Sequence, residues 1–211
     1  MSYCRQDYTD ERNRRYHDEE WGVPLHDDRG QFEYLMLEVM QCGLRWDMIL
    51  QRREIFRACF AGFDFDLVAA FAEEDVQRIL AVPGMIRSRR KIEAIIHNAR
   101  CFQAIRAEAG SFSDWLWAWT DGKTICYTGH ADGYIPASNG LSDRISRELK
   151  RRGFRYVGPV TIYSHLQACG IINDHDRSCP CRQRLLALHP AVECPPDAER
   201  DMRYYGDSLP G

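Results

Sequence analysis

The segment NDHDRSCPC, residues 173–181, holds side chains that can bind a metal ion. His175 and Cys179 are four residues apart, a spacing at which both can share one face of a helix, and Cys181 follows two residues later. A closed structural zinc site needs four protein ligands. This segment offers three at most, so distant residues must complete the site or there is no metal.

A half-buried carboxyl group is predicted in the stretch FEYLMLEVMQCGLRWDMIL, residues 32–50. Glu38 borders the apolar face of the helix expected there, which is an unusual place for a carboxylate. Three aromatic residues accompany it in this stretch and in YHDEEWGVP, namely Tyr16, Trp21 and Trp46. Taken singly, Glu38 could be the surface partner of an arginine and the tryptophans could be core anchors.

Length and net charge limit the classes of protein. The chain has 211 residues, of which 45% are hydrophobic, enough to bury the core of one domain or of two small lobes. Its net charge of −3 argues against a globally basic nucleic-acid binder. Two clusters of cations could still bind a phosphate backbone, although cations are also common at helix C-termini. They are Arg87, Arg89, Arg90 and Lys91, and Lys150, Arg151, Arg152 and Arg155.

The nine cysteines favour reduced thiols, some of them metal ligands, because their number is odd and residues 1–22 lack the apolar core of an export signal. No stretch has the apolar length needed to span a membrane. We therefore expect a soluble, cytoplasmic protein with no membrane partner.

The first cationic cluster follows a predicted turn in EEDVQRILAVPGMIRSRRKIEAIIHNA, residues 73–99. A helix runs to about Val82, Pro83 and Gly84 form a tight turn, and a second helix follows, which is the layout of a helix-hairpin-helix. The turn at Gly84 would expose backbone N–H groups to a phosphate, and Arg87, Arg89 and Lys91 would add positive charge. Any helical pair that reverses direction at Pro-Gly fits the same pattern, so both interpretations stay open.

The remaining pattern predicts an all-α fold, with a long loop at 120–140 and a loosely ordered tail at 183–211. Two amphipathic helices are expected, around 32–42 and 92–102. Further helices are predicted at 54–60, 66–71, 73–80, 112–119, 142–152 with Ser142 as N-cap, and 160–169.

Several of these blocks together resemble the bacterial 3-methyladenine DNA glycosylase I family of the helix-hairpin-helix superfamily. The blocks, in order, are Cys4 with YHDEEWGVP, FEYLMLEVMQCGL with Trp46 after one intervening residue, RSRRKIEAIIHNAR, RRGFRYVGP and ACGIINDHDRSC. The resemblance covers roughly residues 3–182. It implies a single glycosylase domain over 1–182, with a helix-hairpin-helix lobe at about 66–130 and a second lobe pinned by zinc.

The resemblance also implies the ligands of that zinc ion, which joins the two ends of the domain. They fall on Cys4, His17, His175 and Cys179, and Cys181 is then a spare thiol. Four protein ligands leave no open position for water, so the ion is expected to be structural.

The implied reaction is hydrolysis of the N-glycosidic bond of 3-methyladenine in alkylated double-stranded DNA by a monomeric, monofunctional enzyme associated with the bacterial nucleoid. The alkylated base is already cationic and leaves as a neutral molecule, so the enzyme extrudes it, holds the cation and admits water. Glu38 would accept a hydrogen bond from the exocyclic amine, Tyr16 would add a second hydrogen bond, and Trp46 would stack on the base. Trp21 and Ser164 would line the pocket, and Leu44 would fill the gap in the duplex.

The chain departs from the family pattern at Gln6, Asn13, Arg45, Met40 and Cys42. Two aromatic walls of the pocket are absent at Gln6 and Asn13, and a cation at Arg45 could neutralise Glu38. Three alternatives therefore remain: a non-catalytic DNA-structure or lesion-binding protein of the same fold, a glycosylase with altered lesion specificity, and a thiol-based metal or redox sensor.

Overall fold

The structure is a computed structural model that describes Cys4, residues 10–128, His130 and residues 135–194. Two 3-10 turns, Ala61–Phe63 and Ala118–Thr120, join some of its helices. The α-helices are α1 (Glu11–Glu19), α2 (Asp28–Gln41), α3 (Trp46–Gln51), α4 (Arg53–Cys59), α5 (Phe65–Ala69), α6 (Glu73–Ala81), α7 (Arg89–Ala109), α8 (Phe112–Trp117), α9 (Gly140–Arg151), α10 (Pro159–Ala168) and α11 (Pro180–Leu188). The fold is mostly helical, as predicted.

Helix α2 is the centre of the fold and differs from the amphipathic helix expected there. Every residue from 35 to 40 is buried, because α2 contacts α3, α7, α8 and α10 on different sides. Phe32, near its start, packs edge-on against Phe102 of α7 at 5.1 Å between ring centroids.

Among the described residues, no helix is long and apolar enough to cross a membrane.

The helices that sequence analysis missed lack an apolar stripe of helical period. Helix α1 is strongly polar, and it begins where the side chain of Asp10 accepts a hydrogen bond from the backbone N–H of Arg12. Helix α3 spans six residues, too few for a periodic pattern. Helix α11 begins with Pro180 at its first turn, directly after Cys179.

The N-cap of α9 is Asn139 and not the predicted Ser142. The Asn139 side chain accepts a hydrogen bond from the backbone N–H of Ser142, and the Ser142 hydroxyl accepts one from the N–H of Asn139. Ser142 therefore fills the third helical position of a capping box, a place more often held by Glu or Gln.

A small parallel sheet corrects the predicted loop, the predicted tail and the all-α class. Strand β1 (Thr124–Tyr127) is buried throughout and pairs with β2 (Ala191–Cys194) in the register Thr124 with Ala191. The sheet lies inside the segments expected to be irregular. Its first strand is buried there because the apolar side chains of Ile125 and Cys126 pack inside the protein. The predicted domain boundary at 182 falls within α11, and residues 195–211 of the predicted tail lie outside the described residues.

Ending the chain after residue 182 should give a lower melting temperature than ending it after residue 194. The shorter chain loses β2 and the buried side chain of Leu185. Burying one leucine contributes about 2–3 kcal/mol, and each kcal/mol shifts the melting temperature of a chain this size by roughly 2–4 °C. Thermal unfolding followed by circular dichroism should show a loss of about 5 °C or more. Equal melting of the two truncations would show that residues 183–194 do not stabilise the domain.

Candidate active site and metal centre

The C-terminal end of α2 is held by Lys91 from the first turn of α7. Its Nζ donates hydrogen bonds to the carbonyl oxygens of Met40 and Cys42, both at 2.7 Å. The last carbonyl groups of a helix lack partners within it, and a cation there also interacts favourably with the helix dipole. Lys91 is buried, and burial lowers its pKa. The ammonium group predicted to contact a DNA phosphate is therefore bound inside the protein, and it must leave these two carbonyl groups to reach one.

A tight turn follows this cap and leads into α3. Gly43 has φ +78°, in the left-handed region that favours glycine, and open space surrounds it. The Leu44 N–H donates to the Gln41 carbonyl at 2.6 Å, and the Gln41 side-chain amide donates to the Leu44 carbonyl at 2.9 Å. Leu44 is half-buried and packs against the core. The turn therefore presents Gly43 to solvent and fixes Leu44 just before Trp46.

Glu38 lies one turn before this cap and is buried, with 6% of its surface exposed. Burial raises the pKa of its carboxyl group to about 8. None of the described residues hydrogen-bonds the carboxyl group or offsets its charge. Arg45 does not do so, because its side chain is 82% exposed and pairs with Asp47 at 2.8 Å. Arg45 therefore does not neutralise the charge of Glu38.

The aromatic residues predicted beside Glu38 do meet one another. The rings of Tyr16 from α1 and Trp46 from α3 lie 5.3 Å apart between centroids, tilted by 53°. Tyr16 and Trp21 form one buried cluster with Ala168, and Trp46 packs against this cluster. The indole Nε1 of Trp46 is buried and has no hydrogen-bond partner in the part of the chain that the structure describes. An unsatisfied donor of this kind is available to a bound ligand.

Helix α10 supplies the opposite side of the site. The Thr161 hydroxyl lies 3.6 Å from Cys42 Sγ, so the start of α10 meets the end of α2. Ser164 is three residues after Thr161 and four before Ala168, which places it on the same face of α10. Cys42 in turn follows Glu38 by four residues. Ser164 is therefore positioned between the carboxyl-bearing stripe of α2 and the aromatic cluster.

The four predicted metal ligands come together from the two ends of the described chain. Their ligand atoms all lie within 4.8 Å of one another in the set Cys4, His17, His175 and Cys179. Cys4 Sγ lies 3.3 Å from His17 Nε2 and 3.5 Å from His175 Nδ1. Cys179 Sγ lies 3.8 Å and 3.5 Å from the same two nitrogens. A tetrahedral zinc ion with bonds of about 2.3 Å to sulfur and 2.0 Å to nitrogen separates such pairs by roughly 3.5 Å.

Hydrogen bonds orient both imidazole rings of this cluster. His175 Nε2 donates to the Trp21 carbonyl at 3.0 Å, and His17 Nδ1 lies 2.7 Å from an Asp18 carboxylate oxygen. Outer partners of this kind fix the rings of metal-binding histidines. Burial lowers the pKa of His175 to about 4, so the ring is neutral, as a ligand must be. Sequence analysis missed Asp18, although its position next to His17 was an available signal.

Trp21 and Cys181 both lie beside the candidate metal ligands. The Trp21 ring packs edge-on against His175 at 4.5 Å and is stacked on His17 at 5.9 Å, so it forms the wall between the aromatic cluster and the metal ligands. The spare thiol, Cys181, lies 4.0 Å from Asp18 Oδ1 and belongs to a second candidate ligand set that shares His17 with the first.

The predicted hairpin joins α6 to α7 through Val82–Ser88. Gly84 has φ +80°, and a Cβ there would lie 2.8 Å from Ile55 Cδ1. The Gly84 carbonyl accepts a hydrogen bond from Arg52 at 3.1 Å, which ties the turn to the residue between α3 and α4. Arg87 is exposed. Arg89 is engaged with Glu73 at 2.6 Å and Glu93 at 2.9 Å, so it must exchange these partners to reach a phosphate.

Comparison with known proteins decides the family. The methyladenine glycosylase family model matches residues 6–183. DNA-3-methyladenine glycosylase 1 of Escherichia coli K12 is 44% identical over 166 residues, which are 79% of this chain and 89% of that protein. The chain belongs to the methyladenine glycosylase family.

Solved structures agree with this membership. A crystal structure of 3-methyladenine DNA glycosylase I is 44% identical and superposes with a TM-score of 0.80, covering 86% of this chain and 99% of that one. A variant of 3-methyladenine DNA glycosylase I in complex with 3-methyladenine is 33% identical with a TM-score of 0.81, covering 86% of this chain and 98% of that one.

Besides Met40 and Cys42, two further departures from the methyladenine glycosylase pattern lie in described residues. Asn13 is half-buried on α1, one turn before Tyr16, so the aromatic wall is interrupted on the side of α1 that faces the site. Arg45 points to solvent. Gln6 lies outside the described residues. The pocket of this family member therefore keeps its carboxyl group and its Tyr16–Trp46 pair.

Replacing Lys91 with methionine should destabilise the fold without changing the salt dependence of DNA binding. The variant leaves the carbonyl groups of Met40 and Cys42 without their charged donor, which should cost about 2 kcal/mol or more in the free energy of unfolding. Urea unfolding measures this loss, with Lys150→Met at the exposed end of α9 as the control. If Lys91 were a phosphate contact, the slope of log K against log[salt] would fall by about one and stability would hardly change.

Proposed function

We propose that this protein is a monofunctional DNA-3-methyladenine glycosylase of base-excision repair, which hydrolyses the N-glycosidic bond of 3-methyladenine in alkylated DNA. The observation that carries the proposal is the buried carboxyl group of Glu38, which no described cation offsets, on a helix that packs against α3, the helix that bears Trp46. Such a site lacks a positive charge to pair with the carboxylate, and a cationic base would supply it. The family membership and the relative that binds 3-methyladenine support the same substrate.

Glu38 selects for the charged base through its own protonation. In the DNA-free enzyme its pKa of about 8 keeps the carboxyl group mostly protonated at neutral pH, so little charge is buried. A positively charged base in the pocket favours the ionised form, which accepts a hydrogen bond from the exocyclic amine and attracts the ring. Neutral adenine brings no charge to offset the cost of ionising Glu38. The pocket therefore discriminates between the damaged and the normal base by electrostatics.

The other pocket residues position the base and do not supply a proton. Tyr16 donates or accepts a hydrogen bond, and the Trp46 face stacks on the cationic ring. The unsatisfied Nε1 of Trp46 is a further donor toward the nucleotide. Ser164 lines the opposite wall, and Trp21 supports Tyr16 from behind. Because the leaving base is neutral, no general acid is required.

DNA is held by the turns that surround this pocket. Leu44 occupies the gap that the extruded nucleotide leaves, and the α6–α7 turn acts as a helix-hairpin-helix in which backbone N–H groups near Gly84 bind a phosphate. Arg87, and Arg89 after it leaves Glu73, neutralise neighbouring phosphates. We further propose that the enzyme acts on duplex DNA of the bacterial nucleoid as a monomer.

The metal centre is proposed to hold structural zinc. Two sulfur and two nitrogen donors at tetrahedral separations suit Zn²⁺, and they use all four positions of the ion. Bound zinc would supply folding free energy and not activated water. The protein's own contribution is the orientation of the rings by Asp18 and by the Trp21 carbonyl, which links the metal centre to the wall of the pocket.

Glu38→Gln should reduce excision of 3-methyladenine about 100-fold or more while changing DNA affinity less than about twofold, because the amide cannot carry the negative charge. The measurement is release of 3-methyladenine from methylated duplex DNA, with exposed Glu11→Gln as the control. For the wild-type protein, kcat/KM should rise as pH increases through about 8, since the ionised carboxylate is the active form. The Glu38→Gln profile should lack this rise.

The outcomes separate the enzyme from a DNA-binding protein without activity. No release by folded wild-type protein that still binds DNA would contradict the proposed function. A wild-type rate that falls as pH rises toward 8 would show that the protonated form is active and that Glu38 serves as a donor.

Cys4→Ser should lose bound zinc and melt at a lower temperature. Loss of a ligand removes several kcal/mol of folding free energy, equivalent to about 10 °C or more for a chain of this size. Mass spectrometry of the native protein counts the metal, and Cys181→Ser, which leaves the four ligands intact, is the matched control. Unchanged metal content in Cys4→Ser would contradict the ligand set, as would equal loss in Cys181→Ser.

A further inference from the structure

The loop between α9 and α10, residues 153–158, presents an aromatic side chain in a strained conformation. Tyr156 has φ +60°, in the left-handed region that a bulky residue rarely adopts, and 38% of its surface is exposed. Exposed Arg155 precedes it. We call residues 153–158 the Tyr156 loop. Strain of this kind persists only where the surroundings fix the backbone.

The surroundings of the Tyr156 loop do fix it. The buried amide of Asn98, on α7, accepts a hydrogen bond from the Arg155 N–H at 2.8 Å and donates one to the Arg155 carbonyl at 3.0 Å. The Ser146 hydroxyl donates to the Val157 carbonyl at 2.6 Å. Phe154 and Val157, on either side of the exposed pair, are buried. The loop therefore has one backbone conformation, with the side chains of Arg155 and Tyr156 outside.

Folding does not account for the two exposed side chains. Within the described residues, neither makes a side-chain hydrogen bond, an ion pair or a ring contact. A glycine at position 156 would relieve the strain and would suit the conformation better. A rigid, exposed pair of an aromatic ring and a guanidinium group is the combination that binds nucleic acid by base stacking and phosphate contact.

The Tyr156 loop lies near the turn at Gly43 and Leu44, which is proposed to contact DNA. Both are anchored on α7: Lys91 holds the end of α2, and Asn98, seven residues later, holds Arg155. Seven residues of helix rise about 10 Å, the length of roughly three base-pair steps. The loop also leads into α10, whose Thr161 contacts Cys42. Tyr156 is therefore within reach of the duplex that Gly43 and Leu44 approach.

We propose that Tyr156 and Arg155 form a second DNA contact, in which the Tyr156 ring stacks on an unpaired base near the extruded nucleotide and Arg155 binds the adjacent phosphate. This inference rests on the proposed function for its partner, DNA. The backbone of the contact is preorganised, so little loop freedom is lost on binding. Stacking on a base face is tolerant of sequence, which suits an enzyme that must work in any sequence context.

The test is binding to a duplex with a tetrahydrofuran abasic analogue opposite 2-aminopurine, followed by anisotropy and by quenching of the 2-aminopurine. Tyr156→Gly, which relieves the strain, should bind about tenfold more weakly with lost quenching and no fall in melting temperature. Tyr156→Phe should bind within about twofold of wild type. Arg155→Gln should reduce the salt slope by about one, whereas Tyr156→Gly should leave it unchanged. Leu188→Ala, which removes another exposed apolar side chain, is the control.

Wild-type affinity and quenching in Tyr156→Gly would overturn the inference, as would a weakening that accompanies a lower melting temperature and is not restored by Tyr156→Phe. The proposed function is judged separately by base release. If wild type releases no 3-methyladenine but binding still depends on Tyr156, the DNA contact stands without the activity. If release is normal and Tyr156→Gly binds normally, the DNA contact alone fails.

Discussion

The ammonium group of Lys91, bound to two carbonyl groups at the end of α2, is the interaction on which the geometry of the site depends. It stops α2 at the residue where the Gly43 turn must begin, and it joins α2 to α7 at that point. The turn sets the start of α3 and hence the position of Trp46. Glu38 is on the last turn of the same helix. One buried cation therefore fixes the relation between the helix that bears the carboxyl group, the Trp46 ring and the Gly43 turn.

Burial of Glu38 follows from the central position of α2. A helix that is packed on several sides has no solvent-facing stripe, so a carboxyl group near its end is enclosed whether or not it has a partner. The same enclosure gives the group its raised pKa and its preference for a cationic ligand. Packing and selectivity thus have one physical cause, and a mutation that opened the α2–α10 contact would weaken both.

Sequence patterns predicted the parts of this protein that depend on local periodicity or on a specific set of residues. The helices at α2, α7 and α10 were confirmed because each contains a run of apolar residues, and the family was confirmed through its combined motifs. The burial of Lys91 was not predicted, because a run of cations gives no information about which member points inward. Strands β1 and β2 were missed because each has four residues and a partner about 67 positions away, a long-range pairing that local patterns do not report.

The separation of the predicted metal ligands along the chain limits the order in which the molecule assembles. Cys4 and His175 are separated by 171 positions along the chain. Nearly the whole chain must leave the ribosome before the two can meet, so the cluster closes last during synthesis. A metal ion bound by this cluster would tie α1 to the start of α11 across that length of chain. Loss of the ion would then release both helices, and the Tyr16 ring on α1 with them.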